Sequence, residues 1–349
     1  MRKDARAGDA ADLDIDPVAE LAVVDARYLE ARGEDPSNEP SNEPSDELVE
    51  AAFRLSLLEP AGDWTSDVVQ AKVAYFHFAP DLEAALRNYD PHLVDLSARF
   101  GYLTWPRRIR EHVRGRSVLD VGCRFGGFGM GFLVAGATSY VGVDPMLDLD
   151  STRARDKRRR AWGDMGITPR QISEQLPALR SVRGAVEDGA VDGTFDTIAM
   201  HNVTERLHNL DDVLVGLTKL CHRDTRLVLL HHSFYGWSGH HQAPVQPEQL
   251  DEDDPRHQLV YDWRHINAVP DLADDHPMIR VLNRIRLDDL RSMIEQHFDV
   301  ERWDEIPSRQ QALDRLTPEV LARVRETVPD ITERELSTNT VLVVARPKS

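Results

Sequence analysis

Two acidic residues and two glycines lie next to two short apolar segments of the sequence. The first run, residues 117–121, has the character of a strand and leads into a loop that carries Gly122 and Gly126. Residues 128–135 are compatible with a helix, and a second apolar run after them ends at Asp144. A strand, a glycine turn, a helix, a second strand and an acid in this order indicate a nucleotide-binding βαβ unit.

The residue types of this unit indicate what it could bind. Glycines tolerate positive φ and let the main chain approach a ligand closely, and the start of the helix presents unpaired N–H groups. An acid at the end of the second strand, here Asp144, can accept hydrogen bonds from both hydroxyls of a ribose. A further acid before the first glycine, Asp120, would repel a pyrophosphate but suits the ammonium group of a methionine moiety.

The segment resembles the class I S-adenosylmethionine-dependent methyltransferases in two motifs. Residues 120–126, Asp-Val-Gly-Cys-Arg-Phe-Gly, resemble motif I of that family, usually Asp-x-Gly-Cys-Gly-x-Gly, with Arg124 at a position where the family usually has glycine. Val-Gly-Val-Asp-Pro, which ends at residue 145, resembles the acidic second motif. The resemblance implies S-adenosylmethionine as cofactor. It implies these cofactor contacts: Asp120, Gly122, Cys123, Arg124, Gly126, Asp144 and Pro145.

The resemblance suggests further cofactor contacts after the third and fourth predicted strands. In that family an acid after strand three often meets the adenine amino group. The usual position here is Ala185, so Glu187 or Asp188 would serve instead, with surface solvation as an equal alternative for either. His201 and Asn202 follow at the end of strand four, where they are expected near the methionine part of the cofactor.

Predicted strands and helices alternate from residue 117 to the end of the chain. Seven strands with interleaved helices predict a doubly wound, mostly parallel α/β sheet of the Rossmann-like methyltransferase type. By the resemblance, which covers residues 105–347, the last strand is antiparallel to the others. The predicted strands are 117–121, 139–143, 181–186, 195–200, 226–232, 297–303 and 339–345. The predicted helices are 127–135, 152–161, 170–176, 210–221 and 287–296.

A second group of candidate catalytic residues lies around the predicted fifth strand. Methyl transfer to a hydroxyl needs a base, and histidine can take a proton at neutral pH. Neighbouring residues of an extended segment point to opposite faces, so at most one of His231 and His232 faces a given site. The candidates are His231, His232, His240, His241, Glu205 and Tyr235.

Two other interpretations of this group remain open. His201, Glu205 and the four histidines could instead surround a divalent metal ion that holds vicinal substrate hydroxyls. Some of the histidines could also have a structural role. Aromatic residues of the same region could stack against a ring-shaped acceptor, and packing within the region is the alternative for each. These aromatic residues are Tyr235, Trp237, Tyr261, Trp263 and His265.

The amino-acid composition limits the classes of binding partner and the cellular compartment that we expect for this protein. The chain has 349 residues and a net charge of −18, which disfavours nucleic acid as a substrate. A basic run at residues 153–160 is a local exception, interpreted as a solvated helix face, with an anion or partner contact as the alternative. The two cysteines suggest neither a disulfide framework nor a zinc site. Without an apolar signal core or a long apolar run, we expect a cytoplasmic protein with no membrane partner.

Changes of composition along the chain predict that it is divided into three parts. Residues 1–46 form a disordered or partly helical tail, because a repeated Ser-Asn-Glu-Pro offers nothing to bury. Residues 47–112 form a helical extension that could cap the cofactor site or make an oligomer contact, and residues 113–349 form the methyltransferase domain. The insertion at 233–280 is expected at the active-site edge of the sheet, as a substrate lid.

Together these observations favour methyl transfer from S-adenosylmethionine to a small molecule, most simply a hydroxyl of a sugar or a natural product, with a histidine as general base. The alternatives are a metal-dependent O-methyltransferase and a transferase that acts on nitrogen or carbon. A non-catalytic binding protein of the same fold is less favoured. A nicotinamide-dependent oxidoreductase is opposed by the Asp-x-Gly-Cys spacing.

Overall fold

The computed structural model describes residues 89, 93, 104–152, 166–244 and 247–348. The predicted tail, most of the predicted helical extension, the basic run at 153–160 and nearly all of the predicted helix at 152–161 lie outside these residues. No described helix has the length and the apolar character needed to cross a membrane.

The described strands form one seven-stranded sheet in the order β3-β2-β1-β4-β5-β7-β6. β3 runs parallel to β2 and β5 runs parallel to β4, whereas β7 is antiparallel to both of its neighbours. The predicted fold class, a mostly parallel α/β sheet, is thereby confirmed, as is the reversed last strand. The strands are β1 Ser117–Val121, β2 Ser139–Asp144, β3 Leu179–Arg183, β4 Phe195–His201, β5 Cys221–His232, β6 Phe298–Pro307 and β7 Thr338–Pro347.

The described α-helices agree with the predicted ones where the apolar pattern of the sequence is long. They are α1 Thr104–Arg108, α2 Phe128–Val134, α3 Pro169–Gln175, α4 Leu210–Thr218, α5 Pro255–Gln258, α6 Arg264–Ala268, α7 Pro277–Arg280, α8 Leu287–His297, α9 Gln310–Leu313, α10 Pro318–Thr327 and α11 Glu333–Ser337. The helices α2, α3, α4 and α8 match the predictions, with α4 ending three residues early. A 3₁₀ turn at Thr204–Arg206 lies between β4 and α4 in the chain.

β6 and β7 extend beyond their predicted ends, to Pro307 and Pro347. β3 and β5 also differ from their predicted bounds, for identifiable reasons. β3 begins at Leu179 and ends at Arg183, because the buried Leu179 pairs with Tyr140 at the start of β2. The segment from Ala185 to Glu187 therefore lies beyond the strand, not in it. β5 begins five residues before its predicted start, and the hydroxyl of the buried Thr225 secures this early part by donating to the carbonyl of Phe195 at 2.6 Å.

The chain forms two compact units. The first contains Cys123–Arg183 and residues up to Val118, and the second contains Leu119–Gly122 and the chain from Gly184 onward. In the first unit the ring of Phe132 on α2 stacks on Tyr140 of β2, with ring centroids 5.5 Å apart. The apolar face of α2 is thus held against the strand that ends in Asp144.

In the second unit, the 233–280 insertion shares a hydrophobic core with residues 310–337. Trp263 is fully buried, and its indole N–H donates to the carbonyl of Leu336 at 3.1 Å. Asn267 likewise donates to the carbonyl of Arg323. Trp237, Tyr261 and Trp263 belong to this core, and His265 is fully buried, so these four aromatic residues pack within the region. The core residues include Phe234, Trp237, Val260, Trp263, Ile266, Met278, Val320, Val324 and Leu336.

Candidate functional site

In the first unit, the carboxylate of Asp144 is tied to two main-chain amides. The N–H of Arg124 donates to Oδ2 of Asp144 at 2.9 Å, and the N–H of Met146 donates to Oδ1 at 2.7 Å. Asp144 is buried, whereas Met146 and Pro145 are exposed. A carboxylate has about four lone-pair sites, so two remain on Asp144 after these bonds are made. The predicted ribose acid is therefore oriented and still able to accept hydrogen bonds.

Main-chain hydrogen bonds hold the glycine-rich loop in its conformation. Cys123 is buried and donates its N–H to the carbonyl of Val143 at 3.3 Å, and Gly126 donates to the carbonyl of Cys123 at 2.8 Å. Arg124 has a φ of +57°, in the left-handed region where glycine is favoured. The side chain of Arg124 is exposed. The arginine therefore occupies the family's usual glycine position by adopting the conformation that glycine would have there.

The first glycine of the loop, in the second unit, lies against the end of β4. Gly122 has a φ of +76°, and a Cβ atom there would stand 2.4 Å from Cγ2 of Val203. Asp120, two residues earlier in β1, is buried. Both the backbone conformation and the packing of Val203 thus require glycine at position 122, which explains the residue without reference to any ligand.

The residues at the end of β4 are held in an unusual conformation. His201, the last residue of the strand, is half-buried. Asn202 follows with a φ of +52° and donates its N–H to the carbonyl of Leu230 on β5 at 2.9 Å. The side-chain oxygen of Asn202 is buried and accepts no hydrogen bond from the residues that the structure describes. Such groups are normally satisfied, so this oxygen is an acceptor that the described residues leave without a donor.

The acid predicted to meet an adenine ring has a partner within the protein. Oε1 of Glu187 accepts a hydrogen bond of 2.8 Å from the side-chain amide of Asn209, the residue before α4. The backbone of α4 approaches Glu187 at Gly216, where an added Cβ would stand 3.1 Å from the Cα of Glu187. Glu187 therefore fastens the start of α4, and Asp188 beside it is exposed.

The 3₁₀ turn Thr204–Arg206 carries the predicted acid into the interior of the second unit. Glu205 is 1% exposed, and its Oε1 lies 3.8 Å from Nε of Arg206 and 4.0 Å from Nε2 of His241. Asn283 binds both ends of the turn through its side-chain amide, which donates to the carbonyls of Thr204 at 2.7 Å and Leu207 at 2.9 Å. The turn is thus held rigidly by a residue 79 positions away from Thr204 in sequence.

Two of the four candidate histidines are buried in neutral form. His231 lies beside the hydroxyl of Thr204, with Nδ1 2.9 Å from Oγ1, and burial lowers the pKa of His231 to about 3. Burial also lowers the pKa of His240 well below its ordinary value, with His265 adding to the effect. Nδ1 of His240 accepts the N–H of Gln242 at 3.1 Å, so its proton is on Nε2. Both side chains are poor proton acceptors at neutral pH.

The other two histidines form a pair with defined tautomers. His232 and His241 have ring centroids 4.4 Å apart. A guanidinium can only donate, so Nδ1 of His241, 2.9 Å from Nη2 of Arg206, is an acceptor, and the proton of the neutral ring is on Nε2, towards Glu205. Arg206 thereby engages the lone pair of His241 that would otherwise accept a proton.

A hydrogen-bond chain settles the tautomer of His232 in the same way. Ser238 donates its hydroxyl proton to Oδ1 of Asn339 at 2.9 Å. Because this proton is used, Oγ of Ser238 must accept from Nε2 of His232, which lies 3.0 Å away. His232 therefore carries its proton on Nε2 and a lone pair on Nδ1. It is half-buried, on the face of β5 opposite the buried His231, as strand alternation predicts.

The remaining candidates lie in the second unit as well. Tyr235 is half-buried, and its ring packs edge-on against Phe234, with centroids 5.4 Å apart. Within residues 104–152, 166–244 and 247–348, no three His, Cys, Asp or Glu side chains come together closely enough to hold a metal ion. Sequence patterns missed Thr204, Ser238, Asn283 and Asn339, which position the candidate residues but belong to no local motif.

Comparison with known proteins adds the following. No family model and no curated protein matches the chain. An S-adenosylmethionine-dependent methyltransferase from Mesorhizobium loti is 14% identical with a TM-score of 0.39, over 70% of this chain and 97% of the other. The YcgJ protein from Bacillus subtilis is 12% identical with a TM-score of 0.39, over 71% and 98%. The [4+2]-cyclase SpnF is 12% identical with a TM-score of 0.41, over 71% and 81%. Similarity at this level carries no conclusion about the function of this chain.

Proposed function

We propose that this protein is a methyltransferase that uses S-adenosylmethionine and acts on a small molecule. The observation that carries the proposal is the Asp144 carboxylate, which is oriented by the amides of Arg124 and Met146 and keeps two lone pairs. A ribose offers two vicinal hydroxyls to such a pair of acceptors. In the same unit, the main chain of residues 123–126 would offer further contacts for the cofactor.

The residues present therefore fit S-adenosylmethionine. When bound, this cofactor supplies a methyl group on a sulfonium, which a nucleophile can take by in-line displacement. Asp144 would hold the ribose, and the main chain of residues 123–126, in the same unit, would lie along the cofactor.

We assign the role of general base to His232. Of the four candidate histidines, His231 and His240 are buried and hard to protonate, and the lone pair of His241 is engaged by Arg206. His232 is half-buried, and the bond from its Nε2 to Ser238 fixes the ring. A base of this kind serves a hydroxyl acceptor, such as that of a sugar or a natural product, because an alcohol must lose its proton to attack.

Calorimetry with S-adenosylmethionine tests the proposal. The wild type should bind with micromolar affinity, and Asp144→Asn should weaken binding at least about tenfold, because an amide cannot accept from both loop amides and both ribose hydroxyls. Asp150→Asn is the matched control, since among the described residues the exposed Asp150 carboxylate pairs with the exposed Arg170 in the same unit. Titrations with and without EDTA show whether a divalent ion contributes.

Each outcome of the calorimetric experiment supports a different explanation. Wild-type binding that is weakened in Asp144→Asn and unchanged in Asp150→Asn supports the cofactor assignment. Absence of binding by the wild type, with and without EDTA, overturns it. Equal loss in both variants would show that charge in general, not the oriented carboxylate, governs the affinity.

A further inference from the structure

Asn339 holds the segment that follows β5 through two different groups. It is the second residue of β7, and its main-chain carbonyl accepts the N–H of Ser233 at 2.9 Å. Its side-chain oxygen accepts the hydroxyl of Ser238, also at 2.9 Å. Residues 233–238 are thus tied to the start of β7 at both of their ends.

The same segment packs closely against β7 at a glycine. A Cβ atom at Gly236 would stand 2.6 Å from the carbonyl oxygen of Thr338 and 3.0 Å from the Cα of Asn339. A side chain at position 236 would therefore push the segment away from β7. Close packing of the main chain, and not the side chains alone, keeps Ser238 within reach of Asn339.

The hydrogen bonds that start at His232 run in one direction. Nε2 of His232 donates to Oγ of Ser238 at 3.0 Å, and Ser238 donates to Oδ1 of Asn339, an amide oxygen that can only accept. In the pairing of β5 with β7, His232 lies directly opposite Thr340, the residue after Asn339. The hydrogen-bond chain therefore ends on the strand next to His232, and it requires a proton on Nε2.

This direction distinguishes His232 from two other candidate histidines when a proton is added. An imidazolium donates from both ring nitrogens, so protonated His232 keeps the bond that its Nε2 donates. A proton on Nδ1 of His241 would instead face the guanidinium of Arg206, and a proton on Nδ1 of His240 would face the N–H of Gln242. Protonation of either of these two rings therefore breaks an existing hydrogen bond.

Among the described residues, the titratable and charged side chains that face His232 belong to β5, to the segment after it and to the 3₁₀ turn. They are His231, His240, His241, Glu205 and Arg206. Glu205 favours a protonated His232 and Arg206 opposes it, and because the two lie 3.8 Å apart their effects largely offset each other. The amide of Asn339 is neutral. A charge introduced at position 339 should therefore change the proton affinity of His232 measurably.

We propose that Asn339, acting through Ser238, is a positioning residue that keeps Nε2 of His232 protonated, so that His232 takes and releases a proton at Nδ1 without rearrangement. A group held ready in this way costs no reorganisation at the moment of reaction. The proposal rests on the proposed function, in which His232 removes the proton of an acceptor hydroxyl. In that step the proton moves from the hydroxyl oxygen to Nδ1, and the bond from Nε2 to Ser238 stays in place.

Nitrogen NMR of the full-length protein, labelled at histidine, tests the proposal. The signals of His232 are identified by their loss in His232→Gln. In the wild type, the neutral ring of His232 should carry its proton on Nε2. Asn339→Asp keeps an oxygen that accepts from Ser238 and adds a negative charge. It should therefore raise the pH at which His232 is half protonated, by about one pH unit.

Asn267→Asp is the matched control. Asn267 is half-buried in the same unit and donates to Arg323 and Thr327, outside the hydrogen-bond chain of His232. This variant should leave the titration of His232 unchanged. Ser238→Ala interrupts the hydrogen-bond chain, so the shift caused by Asn339→Asp should shrink by about half or more in the Ser238→Ala background.

Three results would overturn the proposal. The first is a neutral His232 with its proton on Nδ1, which the wild type alone can show even where a variant does not fold. The second is a shift in Asn339→Asp that is no larger than the shift in Asn267→Asp. The third is a shift of full size in the Ser238→Ala background. Thermal unfolding of each variant shows whether it is folded.

The NMR experiment needs neither cofactor nor acceptor, so its failure is distinguishable from failure of the calorimetric test of the cofactor. With an acceptor in hand, the acidic limb of the pH profile of kcat/KM should move to higher pH in Asn339→Asp, by the shift that NMR measures. A rate that falls equally at every pH would assign Asn339 a purely structural role and would overturn its action through His232.

Discussion

The main-chain N–H of Arg124 donates to Oδ2 of Asp144 at 2.9 Å, across twenty positions of sequence. The bond joins the two motifs on which the resemblance to methyltransferases depends. It also explains how an arginine is tolerated at a position that is usually glycine, because only the backbone of this residue is needed. The side chain is directed to solvent, and the φ of +57° is the remaining cost.

Arg124→Gly should relieve this cost. Relief of a left-handed conformation gains about 1–2 kcal/mol, and the greater freedom of glycine in the unfolded chain offsets about 0.5–1 kcal/mol of that. We expect the free energy of unfolding by urea to rise by up to about 1 kcal/mol, with affinity for S-adenosylmethionine unchanged or improved. Arg124→Ala, which keeps the strain, should not be stabilised. A less stable glycine variant would contradict the explanation.

Gly122→Ala should destabilise the protein for two separable reasons. The left-handed φ of +76° costs an alanine about 1–2 kcal/mol. The clash with Val203 adds about 1–3 kcal/mol of overpacking. Gly189→Ala is the control for the first effect alone, because Gly189 has a φ of +73° with nothing within 4 Å of an added Cβ. The difference in unfolding free energy between the two variants measures the overpacking.

A double-mutant cycle with Val203→Ala checks this assignment. In the Gly122→Ala background, Val203→Ala should destabilise less than it does in the wild type, or should stabilise, with a coupling energy of about 1 kcal/mol or more. Additive effects of the two substitutions would mean that Val203 moves aside freely and that the clash is not the cause.

The buried His231 should make stability depend on pH. Its pKa falls from 6.5 to about 3 on folding, mainly through burial, so the unfolded chain binds the proton first. The contribution to stability is complete above pH 6.5 and is lost as the pH falls towards 3. Between these limits His231 contributes a slope of about 1.4 kcal/mol per pH unit. Urea unfolding at a series of pH values should show a slope reduced by about this amount in His231→Asn.

Thr204→Val is the informative control for the pH experiment. It removes the hydroxyl beside Nδ1 of His231 but leaves the ring buried. Since burial is the main cause of the shift, the pH dependence should remain in this variant even though its stability falls. Loss of the slope in Thr204→Val would show that the hydrogen bond, not burial, keeps His231 neutral.

The predicted fold agrees with the observed fold where sequence patterns within a short segment determine the structure. The apolar run of β1, the glycines after it and the acid after β2 are close together in sequence, and their periods predicted strand, turn and helix correctly. The alternation of side chains along β5 also predicted that His231 and His232 lie on opposite faces. Where the prediction was wrong, as at the ends of β3 and β5, the bounds depend on pairing partners such as Tyr140 and on the hydroxyl of Thr225.

The sequence by itself determined the class of sheet, the reversal of its last strand through the resemblance, and the set of residues able to do chemistry. Only the tertiary structure decided which of these residues are available. The contacts that decide it join positions far apart: Thr204 and His231 by 27 residues, Asn283 and Thr204 by 79, Ser238 and Asn339 by 101. Local spacing carries the period of a helix or strand, but the burial of a histidine and the partner of an arginine are set by what packs against them.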